Sequence, residues 1–154
     1  MSVAFRRESD EEHLEPKFEL PIPPGPNLVT PRGLALIEAR NTELESAIAA
    51  AAPEQLPELQ RDHRYWRARL ATAQLAPDAS GEIVAFGTSV TISQDGKTRT
   101  LDIVGHDESD PAAGRIAFTA PLAKLLIGSE PGEELESPGP RGPINIVAIE
   151  LLRG

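Results

Sequence analysis

TPRGLALIEARNTELESAIAAAAPEQLPELQRDHRYWRARLATAQL, residues 30–75, is the stretch from which the rest of the chain is read. Thr30 followed by Pro31 is an N-cap residue with proline at the first helical position, where a missing N–H is no loss. Leu34, Ile37, Asn41, Leu44 and Ile48 then recur at spacings of three and four residues. After a break at Pro53 the rhythm returns in Leu56, Leu59, His63, Trp66, Leu70 and Ala73. Each set is a heptad stripe, the seam of a helix that packs against one partner. With so short an interruption, the two helices fold back on each other as an antiparallel hairpin of the coiled-coil kind. A first arm of about 21 residues reaches about 30 Å. Pro57 falls in the first turn of the second helix and removes no needed donor. Asn41 and His63 both occupy seam positions and are expected to face each other as a register-fixing polar layer, with Trp66 as core.

On the N-terminal side, residues 1–29 carry Glu8, Asp10, Glu11, Glu12, Glu15 and Glu19 against Arg6, Arg7 and Lys17, and end in the cluster Pro21-Ile22-Pro23-Pro24-Gly25-Pro26. Dense charge followed by polyproline-type backbone buries no core, so this is read as an extended or disordered acidic arm. It serves as a spacer or as a ligand for a proline-reading domain. On the C-terminal side, residues 76–154 change to a period of two. Strands are expected over Glu82–Phe86 and Ser89–Ile92, a hairpin turn at Gln94-Asp95-Gly96-Lys97, then strands Thr98–Val104 and Arg115–Thr119. Pro121 opens a short helix, Leu122–Ile127, which Gly128 stops. A Pro/Gly-rich loop, Ser137–Pro143, leads into a last strand, Ile144–Leu151. The fold class is α+β: a helical hairpin, then a small antiparallel sheet with one short helix.

Composition narrows the function classes. The 154 residues are 40% hydrophobic but only 4% aromatic, so any core is modest and aliphatic. The absence of cysteine removes disulfides, thiolate metal sites and cysteine nucleophiles, and suits a reducing, cytoplasmic setting. No apolar run approaches the roughly 20 residues of a membrane span, and no apolar stretch follows Arg6 and Arg7 as a secretory signal requires. A net charge of −9 disfavours sequence-independent duplex binding, which depends on lysine and arginine neutralising phosphates. Histidines stand far apart at 13, 63 and 106, and neither a nucleophile–base set nor a phosphate loop is visible. His106 lies in an acidic turn with Asp107, Glu108 and Asp110, read either as turn-capping carboxylates or as a cation site.

Charge on the hairpin is polarised. From Asn41 to Gln60 every charge is negative (Glu43, Glu45, Glu54, Glu58), whereas Arg61, Arg64, Arg67 and Arg69 follow with Asp62 alone between them. Folding at Ala52–Pro53 places Glu54, Glu58 and Asp62 near the free end and the arginines midway down one arm. One reading is a solvated surface with ordinary intrahelical pairs. The other is a probe whose acidic tip meets a cation or basic site while its basic shaft lies against an acidic or nucleic-acid wall.

Several stretches carry more than periodicity. Thr30-Pro31-Arg32-Gly33-Leu34 and Arg69-Leu70-Ala71-Thr72-Ala73-Gln74-Leu75 bound the hairpin. Ile103-Val104-Gly105-His106-Asp107-Glu108-Ser109-Asp110 precedes Arg115-Ile116-Ala117-Phe118-Thr119-Ala120-Pro121-Leu122-Ala123-Lys124-Leu125-Leu126-Ile127-Gly128. In this order, from about residue 28 to 154, they resemble the bacterial GreA/GreB transcription elongation factors. The resemblance implies an FKBP-like C-terminal domain that binds RNA polymerase, docking through Thr119, Ala120 and Pro121. It also implies a hairpin directed into the polymerase secondary channel, with tip carboxylates that help hold the second catalytic magnesium. Backtracked RNA is then cut by the polymerase's own centre, so the chain is no enzyme, has no cofactor or metal of its own, and acts as a monomer.

Two departures from the family pattern shape the expectation. The Asp-x-x-Glu-Asn-Ala-Glu-Tyr type tip motif is missing from residues 50–62, and the hairpin is several turns shorter than the family's. Where the family tends to place Asp-Ser-Pro, this chain has Thr119-Ala120-Pro121. Catalytic help is sensitive to placement at the level of ~1 Å, so a polymerase-binding regulator without strong cleavage stimulation is expected, similar to the short-hairpin Rnk-type binders. The alternatives are a true transcript-cleavage factor, a peptidyl-prolyl isomerase-like chaperone, or a general interaction module with an unknown basic partner.

Overall fold

The structure, a computed structural model, describes residues 19–152. The acidic part of the arm expected over residues 1–18 lies outside the described residues. Two compact units are present: a helical one containing residues 19–25 and Ala35–Thr72, and a sheet unit containing Pro26–Leu34 and residues 73–152.

In the helical unit, α1 (Pro31–Ala50, its first turn grouped with the sheet unit) and α2 (Leu56–Thr72) are joined through a 3-10 turn at Pro53–Gln55. Gln55 stabilises the connection by accepting the Ala52 N–H on its side chain at 3.1 Å. The helices are antiparallel. Asn41 Nδ2 donates to the Trp66 carbonyl at 3.0 Å, and one turn further along α1 Glu45 stands opposite His63, which is earlier in α2. Ile37, Asn41 and Leu44 are buried on α1, as the stripe requires. Asn41 spends its second N–H on the Ile37 carbonyl. The polar layer is therefore Asn41 against backbone rather than Asn41 against His63. His63 Nε2 instead lies 3.7 Å from Glu45 and has no hydrogen-bond partner.

In the sheet unit, β1 (Asn27–Val29) pairs in parallel with β2 (Ala73–Leu75). Two expectations change here. The second helix ends at Thr72 rather than running to residue 75, and the end of the arm is a strand. Three-residue strands 46 positions apart (Asn27 opposite Ala73) have no local periodicity to reveal them. The main sheet has the order β5-β4-β3-β7-β6, with β3 Thr88–Gln94, β4 Lys97–Val104, β5 Arg115–Ala117, β6 Glu134–Leu135 and β7 Ile144–Leu151.

The β3–β4 hairpin turns at Asp95 and Gly96, with φ of +53° and +76°, the pair of left-handed residues that matches strand twist in a two-residue loop. The sheet is mixed, not antiparallel as expected. Residues 105–114 cross back through 3-10 turns at His106–Glu108 and Pro111–Ala113, so β5 runs parallel to β4. Alternation reports which face a residue takes but not strand direction. Glu82–Phe86 forms no strand: the Val84 N–H and C=O bond to Ser129 and Gly128 around α3 (Pro121–Leu126) instead of a ladder. The core is aliphatic: Val84, Val90, Ile92, Leu101, Ile103, Leu126, Ile144 and Ile146 are all essentially inaccessible. At about 1.5–3 kcal/mol for each such side chain, they dominate the unit's stability. Phe86 and Phe118 meet edge to face at 5.4 Å.

Candidate functional site

The first turn of α1 is held to the acidic turn after β4 by one buried carboxylate. Thr30 caps the helix, its Oγ1 accepting the Gly33 N–H at 3.0 Å while its hydroxyl donates to Glu108 Oε1 at 2.7 Å. Glu108 Oε2 accepts the Thr30 N–H at 3.4 Å and the Gly105 N–H at 3.3 Å, and Arg32 Nη1 stands 3.6 Å from Oε1. Glu108 is 6% exposed. Two glycines make room for it. A Cβ at Gly33 would overlap the Glu108 carboxylate, and one at Gly105 would overlap the Leu28 carbonyl oxygen. The acidic turn is thus a capping device, and its long-range half, from residue 108 back to 30, is what sequence reasoning missed. The signal was there in the matching spacings Thr30-x-x-Gly33 and Gly105-x-x-Glu108.

Beside Glu108 is a hollow of about 350 Å³. Phe86 is its single aromatic wall, and Asp78, Asp102, Arg32 and Arg115 bring charge to it. The lining is mixed and charged rather than the apolar, aromatic cleft that an isomerase site for proline peptides wants.

The expected docking loop follows β5. Thr119 and Pro121 are exposed, and Ala120 sits at the N-cap of α3 without a side-chain cap. Its shape comes from backbone: the Phe118 N–H bonds to Val104, the Ala120 N–H to Ala117, and the Lys124 N–H to Ala120, each at 2.9 Å. Ala120→Ser is expected to stabilise the unit by about 1 kcal/mol by capping the Leu122 or Ala123 N–H. Thermal unfolding tests this, and an unchanged midpoint contradicts it.

The hairpin residues are placed less simply. Glu54 lies exposed in the 3-10 turn and the Glu58 side chain is 72% exposed, but Asp62 is tied to Arg61 at 3.0 Å. Glu58 and Asp62, four apart, share one side of α2, whereas Glu54 lies in the turn before it. Among the described residues no group of three His, Cys, Asp or Glu side chains is arranged to hold a metal ion. The arginines do not form one face. Arg61, Arg64 and Arg67 follow one another at three-residue steps, whereas Arg69 stands about 140° around the helix from Arg64 at 3.6 residues per turn. Arg69 is 3% exposed, with its guanidinium 6.0 Å from the Tyr65 ring centre. The expected basic face therefore consists of Arg61, Arg64 and Arg67.

Comparison with known proteins places this arrangement. The family model "Transcription elongation factor, GreA/GreB, C-term" matches residues 79–151, which includes the Glu108 turn, the Thr119–Pro121 loop and the whole main sheet. Transcription elongation factor GreA of Thioalkalivibrio sulfidiphilus is 36% identical over 116 residues, spanning 70% of this chain and 73% of that protein. The chain belongs to the GreA/GreB family. GreA of Desulfovibrio desulfuricans is 34% identical over 109 residues, 68% of this chain and 67% of its own. Among solved structures, the GreA/GreB factor from Nitrosomonas europaea is 22% identical and covers 80% of this chain and 98% of that one, with a TM-score of 0.42. No helix among the described residues is long and apolar enough to cross a membrane.

Proposed function

We propose that this GreA/GreB-family chain regulates transcription elongation by binding RNA polymerase. The C-terminal unit docks near the secondary channel through Thr119, Ala120 and Pro121, and the hairpin enters the channel as a coiled coil. The single observation that carries the reading is the match of residues 79–151, the sheet unit with the Thr119–Pro121 loop, to the GreA/GreB C-terminal family. An FKBP-like C-terminal domain is part of this proposal. So are a monomeric state, a cytoplasmic setting, and the lack of a catalytic centre or cofactor of the chain's own, the relevant magnesium being the polymerase's.

The hairpin supports a regulator over a cleavage factor. Its helices hold 20 and 17 residues, about 30 and 26 Å at 1.5 Å per residue. Its end offers Glu54, while Asp62 at 3.0 Å and Glu58 at 3.9 Å both face Arg61. A hard divalent cation is retained by several oxygen ligands at well-defined positions. One carboxylate in the turn and two shared with an arginine, on a short rod, do not meet that requirement. Stalled, backtracked elongation complexes incubated with the chain are expected to shorten their RNA no faster than without it. Robust shortening overturns the regulator reading in favour of the cleavage factor.

A further inference from the structure

Arg64 holds a carboxylate from a distant part of the chain. Its Nε donates to Glu19 Oε1 at 2.6 Å and its Nη2 to Glu19 Oε2 at 2.7 Å, across 45 positions of sequence. This is the parallel two-bond fork that gives arginine–carboxylate pairing its geometric specificity. Behind Glu19 runs Leu20-Pro21-Ile22-Pro23-Pro24-Gly25, with no helix or strand and with Ile22 52% exposed. Three prolines fix φ along this stretch up to the bend at Pro24–Gly25, where Gly25 has φ +88°, so little freedom is lost when its end is held. The fork holds Glu19 below its ordinary carboxylate range and raises Arg64, and the charge of Arg61 adds to the effect on Glu19. Arg61 itself is answered within α2 by Asp62 and Glu58. Arg64 is answered from the strap.

We propose that the outer side of α2 around Arg64 is a docking site for an acidic, extended, proline-flanked peptide of a partner protein, and that residues 19–25 are a built-in competitor that keeps it occupied. The strap itself shows what the site accepts: one forked carboxylate followed by polyproline-type backbone. Three arginines spanning about 9 Å of helix suit one or two carboxylates better than a long phosphate chain, which a net charge of −9 repels. As a tethered ligand the strap acts at an effective concentration on the order of mM, so an external peptide binds well only when the strap is released. Such a contact is exposed and weakens with salt. The Glu19–Arg64 contact stands apart from polymerase binding, and its test contains no polymerase.

The test is an NMR titration of the full chain that follows the arginine side-chain Nε–H signals. The probe is a synthetic peptide with the sequence of residues 19–25, and single-stranded oligouridylate serves as a second probe. In Glu19→Gln the Arg64 signal is expected to shift on adding the peptide, with an apparent affinity up to roughly fivefold tighter than in the parent chain. A peptide carrying Gln in place of its Glu is expected to do nothing. Glu54→Gln, the same charge change on the exposed 3-10 turn, is expected to bind like the parent. Equal peptide affinity for Glu19→Gln and the parent overturns the proposal. So does a gain that persists when Arg64 is also replaced by Gln, or an RNA gain larger than the peptide gain.

Discussion

Glu108→Ala is expected to destabilise the sheet unit by about 3–5 kcal/mol, because one buried carboxylate accepts three hydrogen bonds. The loss leaves the Thr30 hydroxyl and the Thr30 and Gly105 N–H groups without their acceptor. Each buried group so orphaned costs about 1–3 kcal/mol. Arg32 is half-exposed and finds water, so it adds little. Glu108→Gln keeps one acceptor oxygen and is expected to lose about half as much. Gly33→Ala drives a methyl group into the same carboxylate, an overpacking of about 1–3 kcal/mol. Because the two substitutions act on one contact, the double variant Gly33→Ala/Glu108→Ala is expected to cost clearly less than the sum of the singles. Denaturant unfolding followed by circular dichroism reads the stabilities, and amide exchange at Thr30 and Gly105 localises the damage. A fully additive double variant, or a stable Glu108→Ala protein with unchanged exchange, contradicts the network.

The second large effect concerns docking. Thr119 stands where the resemblance implies Asp, and it is exposed on a loop whose described backbone bonds are made without its side chain. Thr119→Asp is therefore expected to change folding stability by no more than about 0.5 kcal/mol. Its effect on polymerase affinity is expected to be about tenfold tighter binding, or about 1.4 kcal/mol. That is near the lower end of what a hydrogen bond to a charged group contributes. Titration against purified polymerase at fixed salt measures it. An unchanged or weaker affinity shows that this loop is not where a carboxylate is read.

What was legible in the sequence was whatever local pattern dictates. The heptad stripes mark α1 and α2, Asp95-Gly96 marks a two-residue turn, Pro121 and Gly128 bracket α3, and Ile144–Leu151 is the last strand as expected. The elements that escaped depend on distant partners. The β1–β2 pair exists because Asn27 meets Ala73, and β5 is parallel because residues 105–114 carry the chain back across the sheet. Glu82–Phe86 has strand-like residues, but its backbone bonds are claimed by the loop after α3. At the candidate site, charge sign was readable and burial was not. Four arginines in nine positions read as one basic strip, yet helical rotation carries Arg69 into the interior and leaves three. The start of α3 was legible because Pro121 fixes it, whereas the carboxylate that secures the start of α1 lies 78 positions from the residue it caps.

The most direct test of the account is retention of the full chain on immobilised bacterial core RNA polymerase at low salt, followed by competition with an authentic GreA. The expected result is stoichiometric retention, displacement by GreA in proportion to its concentration, and loss of GreA-stimulated RNA shortening as this chain is added. Failure of the chain to bind polymerase at low salt, or binding that GreA does not affect, contradicts it.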